Sequence, residues 1–248
     1  MKKYGLIGFP LSHSFSKRYF SEKFREEDIP DCEYENFEIK RIDNLSSLIK
    51  SYPNLCGLNV TIPYKESIIP YLDDLDKAAK KVGAVNVVKI LKDHRKIGYN
   101  SDYYGFRFSL ENWLGSSMKK LKALLLGTGG AAKAVKCVLE DCRIEYKSIS
   151  REKGRGDFIY TDFIDDPDLI KGYRLIINTT PLGMYPKISE APNLPYEDMD
   201  SSYFLYDLIY NPEKTLFLEK GELSGANIKN GHEMLVLQAE KSWEIWNE

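Results

Sequence analysis

The chain has 248 residues, enough for one large domain or two modest ones. Its 35 basic and 37 acidic residues give a net charge of −2 without a basic stripe, which argues against a nucleic-acid partner. No window approaches the roughly 20 apolar residues of a membrane span, and the N-terminal apolar run is too short for a signal peptide, so we expect neither a membrane anchor nor secretion.

Alternating strands and helices are predicted for the first part of the chain. Short apolar runs predict strands, and apolar residues spaced four apart, such as Phe20 and Phe24, predict a helix. The expected elements, in chain order, are a strand at 3–8, a helix at 16–27, a strand at 33–39, a helix at 45–51, a strand at 55–60, a helix at 73–82, and a hairpin of 84–90 with 96–99. Strands that alternate with helices are typical of an α/β domain.

A second series of elements begins near residue 120, with strands at 123–126, 145–149, 175–178 and 204–208 and a closing helix at 234–246. The first of these strands leads into Gly127-Thr-Gly129-Gly130-Ala-Ala132, which opens a helix. In dinucleotide-binding folds such glycines permit a tight turn and a close approach to the pyrophosphate, and the helix N-terminus offers amide hydrogens. An ordinary strand-to-helix turn is the alternative. The context favours a doubly wound, Rossmann-type dinucleotide-binding domain.

The end of the next strand, Ser150-Arg151, bears on the choice of cofactor. NAD-dependent enzymes place an acidic residue there to hold the ribose hydroxyls, whereas an arginine suits the 2′-phosphate of NADP. Glu152 in the same turn argues in the other direction, and Arg151 could instead be a solvated surface residue. We therefore expect NADP as the cofactor and keep NAD as the alternative.

Polar residues cluster where the predicted strands of the first half end. They form four segments: Ser12-His-Ser14-Phe-Ser16, Asn59-Val-Thr61-Ile-Pro-Tyr-Lys65-Glu66, Gly83-Ala-Val-Asn86 and Asn100-Ser-Asp102. Ligands of α/β folds bind beyond the carboxyl ends of strands, so these side chains could hold a small polyol acid. Each also fits an ordinary role, such as a helix cap for Ser14 or a solvated lysine for Lys65.

Cysteine and histidine usage argues against a metal centre. The four cysteines form no Cys-x-x-Cys pair, and the three histidines lie far apart in the chain. We interpret the cysteines as reduced thiols, which favours a cytoplasmic location.

These motifs resemble, in order and spacing, the signatures of the shikimate dehydrogenase family. The second half continues the resemblance with the segments Asn178-Thr-Thr-Pro-Leu-Gly-Met, Tyr206-Asp-Leu-Ile-Tyr-Asn-Pro and Met234-Leu-Val-Leu-Gln238. The resemblance spans essentially the whole chain. It implies an α/β substrate domain beside the dinucleotide domain, and the reversible NADP-linked interconversion of 3-dehydroshikimate and shikimate, a step in making chorismate and aromatic amino acids.

The resemblance also implies a role for each matched residue. Lys65 and Asp102 would be the catalytic pair, since an ammonium can stabilise and protonate the oxygen of a ketone that is being reduced, without a metal. The implied substrate-binding residues are Ser14, Ser16, Asn59, Thr61, Asn86, Tyr210 and Gln238. The implied cofactor-binding residues are Gly127, Gly129, Gly130, Ala131, Ser150, Arg151, Thr179, Pro181, Leu208 and Gly231.

The expected organisation is a substrate-binding and catalytic domain at 1–102, completed by the C-terminal helix at 232–248, and an NADP-binding Rossmann domain at 103–231. We expect a monomer or homodimer. The sequence departs from the family pattern at several positions, which are Tyr99, Tyr103, Ser150, Glu152, Asn230, His232 and Glu233, and it stops where many members continue into a further helix. Two alternatives stay open: a relative that uses quinate or NAD, and a non-catalytic ligand sensor on the same fold.

Overall fold

The structure is a computed structural model that describes residues 1–11 and 15–248, without the side chain of Lys119. It divides into two compact units. Unit 1 comprises Met1–Ser101 and Gln238–Glu248, and unit 2 comprises Asp102–Leu237. Unit 1 is therefore built from two segments that are distant in the chain.

Unit 1 contains a mixed sheet of six strands. Its elements are β1 (Lys2–Gly8), α1 (Phe15–Glu26), β2 (Cys32–Glu38), α2 (Leu45–Ser51), β3 (Leu55–Val60), β4 (Asp74–Leu75), α3 (Lys77–Val82), β5 (Val87–Ile90) and β6 (Lys96–Tyr99). The strand order is β2-β1-β3-β5-β6-β4, with β1 parallel to β2 and β3 and an antiparallel pair of β5 and β6. The predicted hairpin and the three preceding strands are confirmed.

The helix predicted at 73–82 is wrong in its first part. Asp74–Leu75 forms β4, which pairs with β6, and α3 begins only at Lys77. The Asp76 carboxylate caps this helix by accepting a hydrogen bond from Ala79 N at 2.7 Å. A strand of two residues is too short to produce a periodic pattern, so the sequence did not reveal it.

Unit 2 contains a parallel sheet of six strands. Its elements are β7 (Ala123–Leu126), α5 (Gly130–Asp141), β8 (Tyr146–Ser150), β9 (Phe158–Ile159), α6 (Asp162–Asp165), β10 (Leu175–Asn178), β11 (Phe204–Asp207), α7 (Leu216–Leu223) and β12 (Asn227–Lys229), and two further helices, α4 (Ser101–Leu114) and α8 (His232–Asn247), cross the unit boundaries. From β9 to β12 the strand order is β9-β8-β7-β10-β11-β12, the 3-2-1-4-5-6 order of the Rossmann fold. The predicted fold class is confirmed.

Aromatic rings form much of the core of unit 1. Tyr4 of β1 stacks on Trp246 of α8 with ring centroids 4.9 Å apart, and Phe20 of α1 stacks on Tyr34 of β2 at 4.8 Å. The indole Nε1 of Trp246 donates to Val88 O at 3.1 Å, so its polar atom is satisfied where it is buried. The last turns of α8 are thereby fixed to the sheet of unit 1.

The two central strands of unit 2, β7 and β10, have no exposed residue. Both faces of the sheet are covered there, which explains why these strands are continuous apolar runs in the sequence. The strand order reverses between β7 and β10: successive strands are added on one side of β7 up to β9, and on the other side from β10 onward. Ligands of such sheets bind beyond the carboxyl ends of the strands at this point.

Within residues 1–11 and 15–248, no helix is both long and apolar enough to cross a membrane. The same residues contain no group of three His, Cys, Asp or Glu side chains that could hold a metal ion. None of the four cysteines, all of which the structure describes, forms a disulfide bond.

Candidate active site

The glycine turn between β7 and α5 combines one closely packed glycine with two that face open space. Gly127 has φ +104°, and a Cβ there would lie 2.9 Å from Thr179 Oγ1, so this position requires glycine. Around Gly129 and Gly130, in contrast, the described residues place no atom within 4 Å of an added Cβ, apart from the adjacent residues and the local helix backbone. Packing within the protein does not require those two glycines, whereas a ligand that approaches the helix N-terminus would. Ala132 is buried, as expected for the small residue that packs the helix against the strand.

A cleft of about 320 Å³ opens above the carboxyl ends of β7, β8 and β10. Six predicted cofactor-binding residues line it: Gly127, Gly129, Ser150, Arg151, Thr179 and Pro181. Seven further residues complete the lining: Thr128, Ile149, Glu152, Arg155, Tyr160, Thr180 and Leu182. Predicted residues Gly130 and Ala131 follow in the first turn of α5.

The end of the cleft beside β8 carries two guanidinium groups. Arg151 was predicted there, but Arg155 was not, although it lies in the same glycine-containing turn. Glu152 also lines this end and forms an ion pair with Arg155, with Oε2 and Nε 2.9 Å apart. Tyr160 was also missed, because it follows the two-residue strand β9. Burial raises the pKa of Tyr160 to about 12, and the nearby Arg151 charge opposes that shift.

A buried carboxylate holds the segments that follow β10 and β11. Asp207 has no exposed surface and accepts hydrogen bonds from Asn178 Nδ2 at 3.0 Å, Ile209 N at 3.0 Å and Thr215 Oγ1 at 2.6 Å. Asn178 Oδ1 in turn accepts from Thr180 N and Oγ1, at 3.0 and 2.7 Å. Asp207 therefore positions, through Asn178, the loop that lines the cleft after β10.

Leu208 and Gly231 pack against each other, outside the group of residues that line the cleft. Leu208 N donates to Asn178 O at 3.0 Å. A Cβ at Gly231 would lie 2.0 Å from Leu208 O, so only glycine permits this approach. Tyr210, two residues after Leu208, has an exposed side chain.

Three predicted substrate-binding residues of unit 1 meet in one polar cluster, which we define as Asn59, Asn86, Ser101, Gln238 and Ser242. Asn59 Nδ2 donates to Ser242 Oγ at 2.9 Å, and Asn86 Nδ2 donates to Ser101 Oγ at 3.0 Å. Ser101 Oγ donates to Gln238 Oε1 at 3.4 Å and lies 3.3 Å from Ser242 Oγ. Residues from β3, α4 and α8 are thus linked within unit 1.

Ser101 and Ser242 were not predicted as site residues. Signals for both exist in the sequence, since Ser101 lies inside the Asn-Ser-Asp motif and Ser242 lies one helical turn after Gln238. The cluster extends to β2 and α1, because Tyr34 Oη donates to Asn59 Oδ1 at 2.7 Å and Tyr34 hydrogen-bonds with the side chain of Ser16.

The segment before Lys65 is anchored at both ends. Thr61 N donates to Ile7 O at 2.9 Å where β3 ends. The buried Tyr64 donates through its hydroxyl to Ile39 O at 2.5 Å, and Val85 N donates to Lys65 O at 2.7 Å. The backbone of Lys65 is therefore fixed, and its side chain is half-buried.

Two predicted residues remain to be placed. Asp102 is half-buried in the first turn of α4 and is the first residue of unit 2, whereas Lys65 belongs to unit 1. Ser14 lies outside the described residues.

Comparison with known proteins identifies the family. Residues 6–88 match the shikimate dehydrogenase substrate binding domain. A shikimate dehydrogenase (NADP(+)) of Clostridium beijerinckii is 42% identical over 257 residues, covering 100% of this chain and 93% of the relative. A crystal structure of a shikimate dehydrogenase in complex with NADP+ gives a TM-score of 0.86 at 32% identity, covering 99% of this chain and 90% of that one. Shikimate 5-dehydrogenase from Thermus thermophilus, in complex with NADP(H) and shikimate, gives 0.84 at 27% identity, with coverage of 99% and 93%.

The Rossmann-ordered sheet, the glycine turn and the arginine-lined cleft define a dinucleotide-binding protein of the α/β class. The 42% sequence identity to the Clostridium enzyme extends over the whole chain, and it shows that the chain belongs to the shikimate dehydrogenase family. The family resemblance inferred from the motifs is thereby confirmed.

Proposed function

We propose that this chain is an NADP-dependent oxidoreductase that reversibly converts 3-dehydroshikimate to shikimate. The observation that carries the proposal is a sequence identity of 42%, over the entire chain, to a shikimate dehydrogenase (NADP(+)). The described residues agree with it, because unit 2 has a dinucleotide-type cleft and unit 1 has a cluster of neutral hydrogen-bonding side chains suited to a hydroxylated ligand. The reaction would serve the synthesis of chorismate and aromatic amino acids.

The residues of unit 2 fit a dinucleotide phosphate. Open space at Gly129 and Gly130 leaves room for the pyrophosphate at the N-terminus of α5, where Gly127 and Ala131 complete the turn. Ser150 and Arg151 would hold the ribose phosphate at the other end of the cleft. Thr179, Pro181, Leu208 and Gly231 would contact the rest of the cofactor. We accordingly propose residues 103–231 as the NADP-binding domain.

We assign substrate binding and catalysis to residues 1–102 together with 232–248. Ser14 and Ser16 would bind the carboxylate of the substrate, and the hydroxyls would be bound by Asn59, Thr61, Asn86 and Gln238, with Tyr210 near both ligands. Support for this assignment comes from the polar cluster, in which Asn59, Asn86 and Gln238 share the partners Ser101 and Ser242.

Lys65 and Asp102 are proposed as the catalytic pair. When bound, NADPH supplies the hydride that reduces the ketone. The Lys65 ammonium would stabilise the negative charge that develops on the ketone oxygen and donate a proton to it. The Asp102 carboxylate would accept a hydrogen bond from the hydroxyl that forms at this oxygen.

The location and assembly of the protein are further proposals. The four cysteines, all of them described and none of them in a disulfide bond, support a reducing compartment, and we propose the cytoplasm. Shikimate and 3-dehydroshikimate would be its small-molecule partners. We propose a monomer or homodimer, which sedimentation velocity would resolve.

The proposed function is tested by nicotinamide absorbance with shikimate or quinate as substrate, each with NADP or NAD. We expect the highest kcat/KM for shikimate with NADP. Fastest turnover of quinate would instead assign the chain to a quinate-preferring branch. Absence of turnover in all four pairings, with ligand binding retained, would favour the sensor alternative and overturn the proposal.

A further inference from the structure

An acidic side chain stands among the cations at the β8 end of the cleft. Arg151, Glu152 and Arg155 all line this end, and the carboxylate of Glu152 pairs with Arg155 Nε at 2.9 Å. Both partners of the pair have exposed side chains, at 62% for Glu152 and 69% for Arg155. The pair is therefore open to solvent and to a ligand in the cleft.

The turn that carries this pair is held in place by its own backbone. Gly154 has φ +84°, which bends the chain so that residues 152 and 155 approach each other, and Arg155 N donates to Glu152 O at 3.3 Å. Two residues later the Asp157 carboxylate accepts from Ser148 N at 2.8 Å, which ties the turn to β8. Glu152 and Arg155 are thereby kept on the same short loop at the edge of the cleft.

A carboxylate at position 152 would act in opposite directions on the binding of the two dinucleotides. A 2′-phosphate carries a charge of about −1.5 to −2 near neutral pH, so a carboxylate beside it is repulsive. The pair with Glu152 also occupies the Nε–H of Arg155, so the edge of the guanidinium that includes Nε is not available to hold a phosphate through two N–H donors. The ribose of NAD has a free 2′-hydroxyl that can donate to a carboxylate instead.

We propose that Glu152 sets the cofactor selectivity of this protein, by pairing with Arg155 and opposing the 2′-phosphate, so that NADP binds more weakly relative to NAD than Arg151 and Arg155 alone would allow. This inference rests on the proposed function, because it assumes that the cleft binds a nicotinamide dinucleotide. It concerns binding of the adenosine end and requires no catalytic step.

The test is isothermal titration of the full chain with NADP+, NAD+, adenosine 2′,5′-bisphosphate and ADP. For Glu152→Gln we expect NADP+ and the bisphosphate to bind about threefold tighter or more, since solvent-exposed charge interactions are weak, and NAD+ to bind equally well or more weakly. The gain should shrink at about 0.5 M salt, where exposed charges are screened. Glu145→Gln is a matched control, because Glu145 forms an exposed ion pair with Lys122 at 2.8 Å and does not line the cleft.

A double-mutant cycle tests the role of Arg155. Arg155→Gln should weaken NADP+ more than NAD+, and the gain from Glu152→Gln should be smaller in the Arg155→Gln background. An unchanged ratio of NADP+ to NAD+ affinity in Glu152→Gln, or an equal change in Glu145→Gln, would overturn the inference. So would a gain of the same size with and without Arg155, because the ion pair would then have no part in it.

The two levels of the proposal fail in distinguishable ways. If the wild-type chain binds neither NADP+ nor NAD+, the proposed function is wrong. If it binds both and the Glu152→Gln substitution leaves their ratio unchanged, only the assignment of Glu152 is wrong.

Discussion

At the scale of single residues, Asp207 is the buried charge on which the cleft of unit 2 depends. Its three donors come from β10, from the chain after β11 and from the cap of α7, since Thr215 Oγ1 also accepts from Leu218 N. Burial raises the pKa of Asp207 from 3.8 to about 6, and these hydrogen bonds offset only part of that shift. The ionised Asp207 carboxylate therefore lowers the free energy of unfolding, while its hydrogen bonds hold the loop after β10 in place.

The pH dependence of stability should report this residue. Because the folded pKa of Asp207 is raised, its protonated form favours the folded state, and that contribution is lost as the pH rises from about 4 through about 6. We expect the free energy of unfolding of the wild type, relative to Asp207→Asn, to fall by roughly 2 to 3 kcal/mol between pH 4 and pH 7, since one pKa unit corresponds to about 1.4 kcal/mol. Urea denaturation at several pH values measures it. Parallel pH profiles of the two proteins would contradict the account.

At the scale of elements, the sequence predicts what is long or chemically distinctive. The buried strands β7 and β10 were predicted because they are continuous apolar runs, and the turn into α5 because its glycines follow such a strand. The strands β9 and β12 have two and three residues, too few for any period to appear. The cleft residues that belong to recognised motifs could be predicted from the sequence. Arg155 and Tyr160 could not, because they lie just before and just after the two-residue strand β9, and only the fold places them at the cleft.

The glycine turn offers a test at this scale. Gly127→Ala forces a side chain into a left-handed backbone and against Thr179, so we expect a destabilisation of roughly 1 to 2 kcal/mol and at least about tenfold weaker NADP+ binding. The matched control is Gly172→Ala, because Gly172 has ordinary backbone geometry and, apart from its neighbours in the chain, no described residue comes within 4 Å of an added Cβ. Chemical denaturation and calorimetric titration give the two quantities. Wild-type NADP+ affinity in Gly127→Ala would show that the turn does not hold the cofactor.

At the scale of the whole molecule, the chain distributes its chemistry over two units. Unit 1 takes its polar cluster from both of its chain segments, since Gln238 and Ser242 come from α8 and the other members from residues before 102. Sequence periodicity predicts α8 as a helix, but only the fold shows that its second half belongs with unit 1. The family motifs predict the roles of Asn59, Asn86 and Gln238 in this cluster, and those roles stay predictions.

The central claim is that Lys65 of unit 1 is the proton donor for a reduction whose cofactor is bound by unit 2. Its most direct test is Lys65→Met, which removes the ammonium and keeps most of the aliphatic chain, with the exposed Lys77→Met of α3 as the control. We predict that kcat for 3-dehydroshikimate with NADPH falls by about a hundredfold or more, while calorimetric affinities for shikimate and NADP+ change by less than about threefold, because the lysine acts mainly in the transition state. Turnover within about twofold of the wild type would contradict the account.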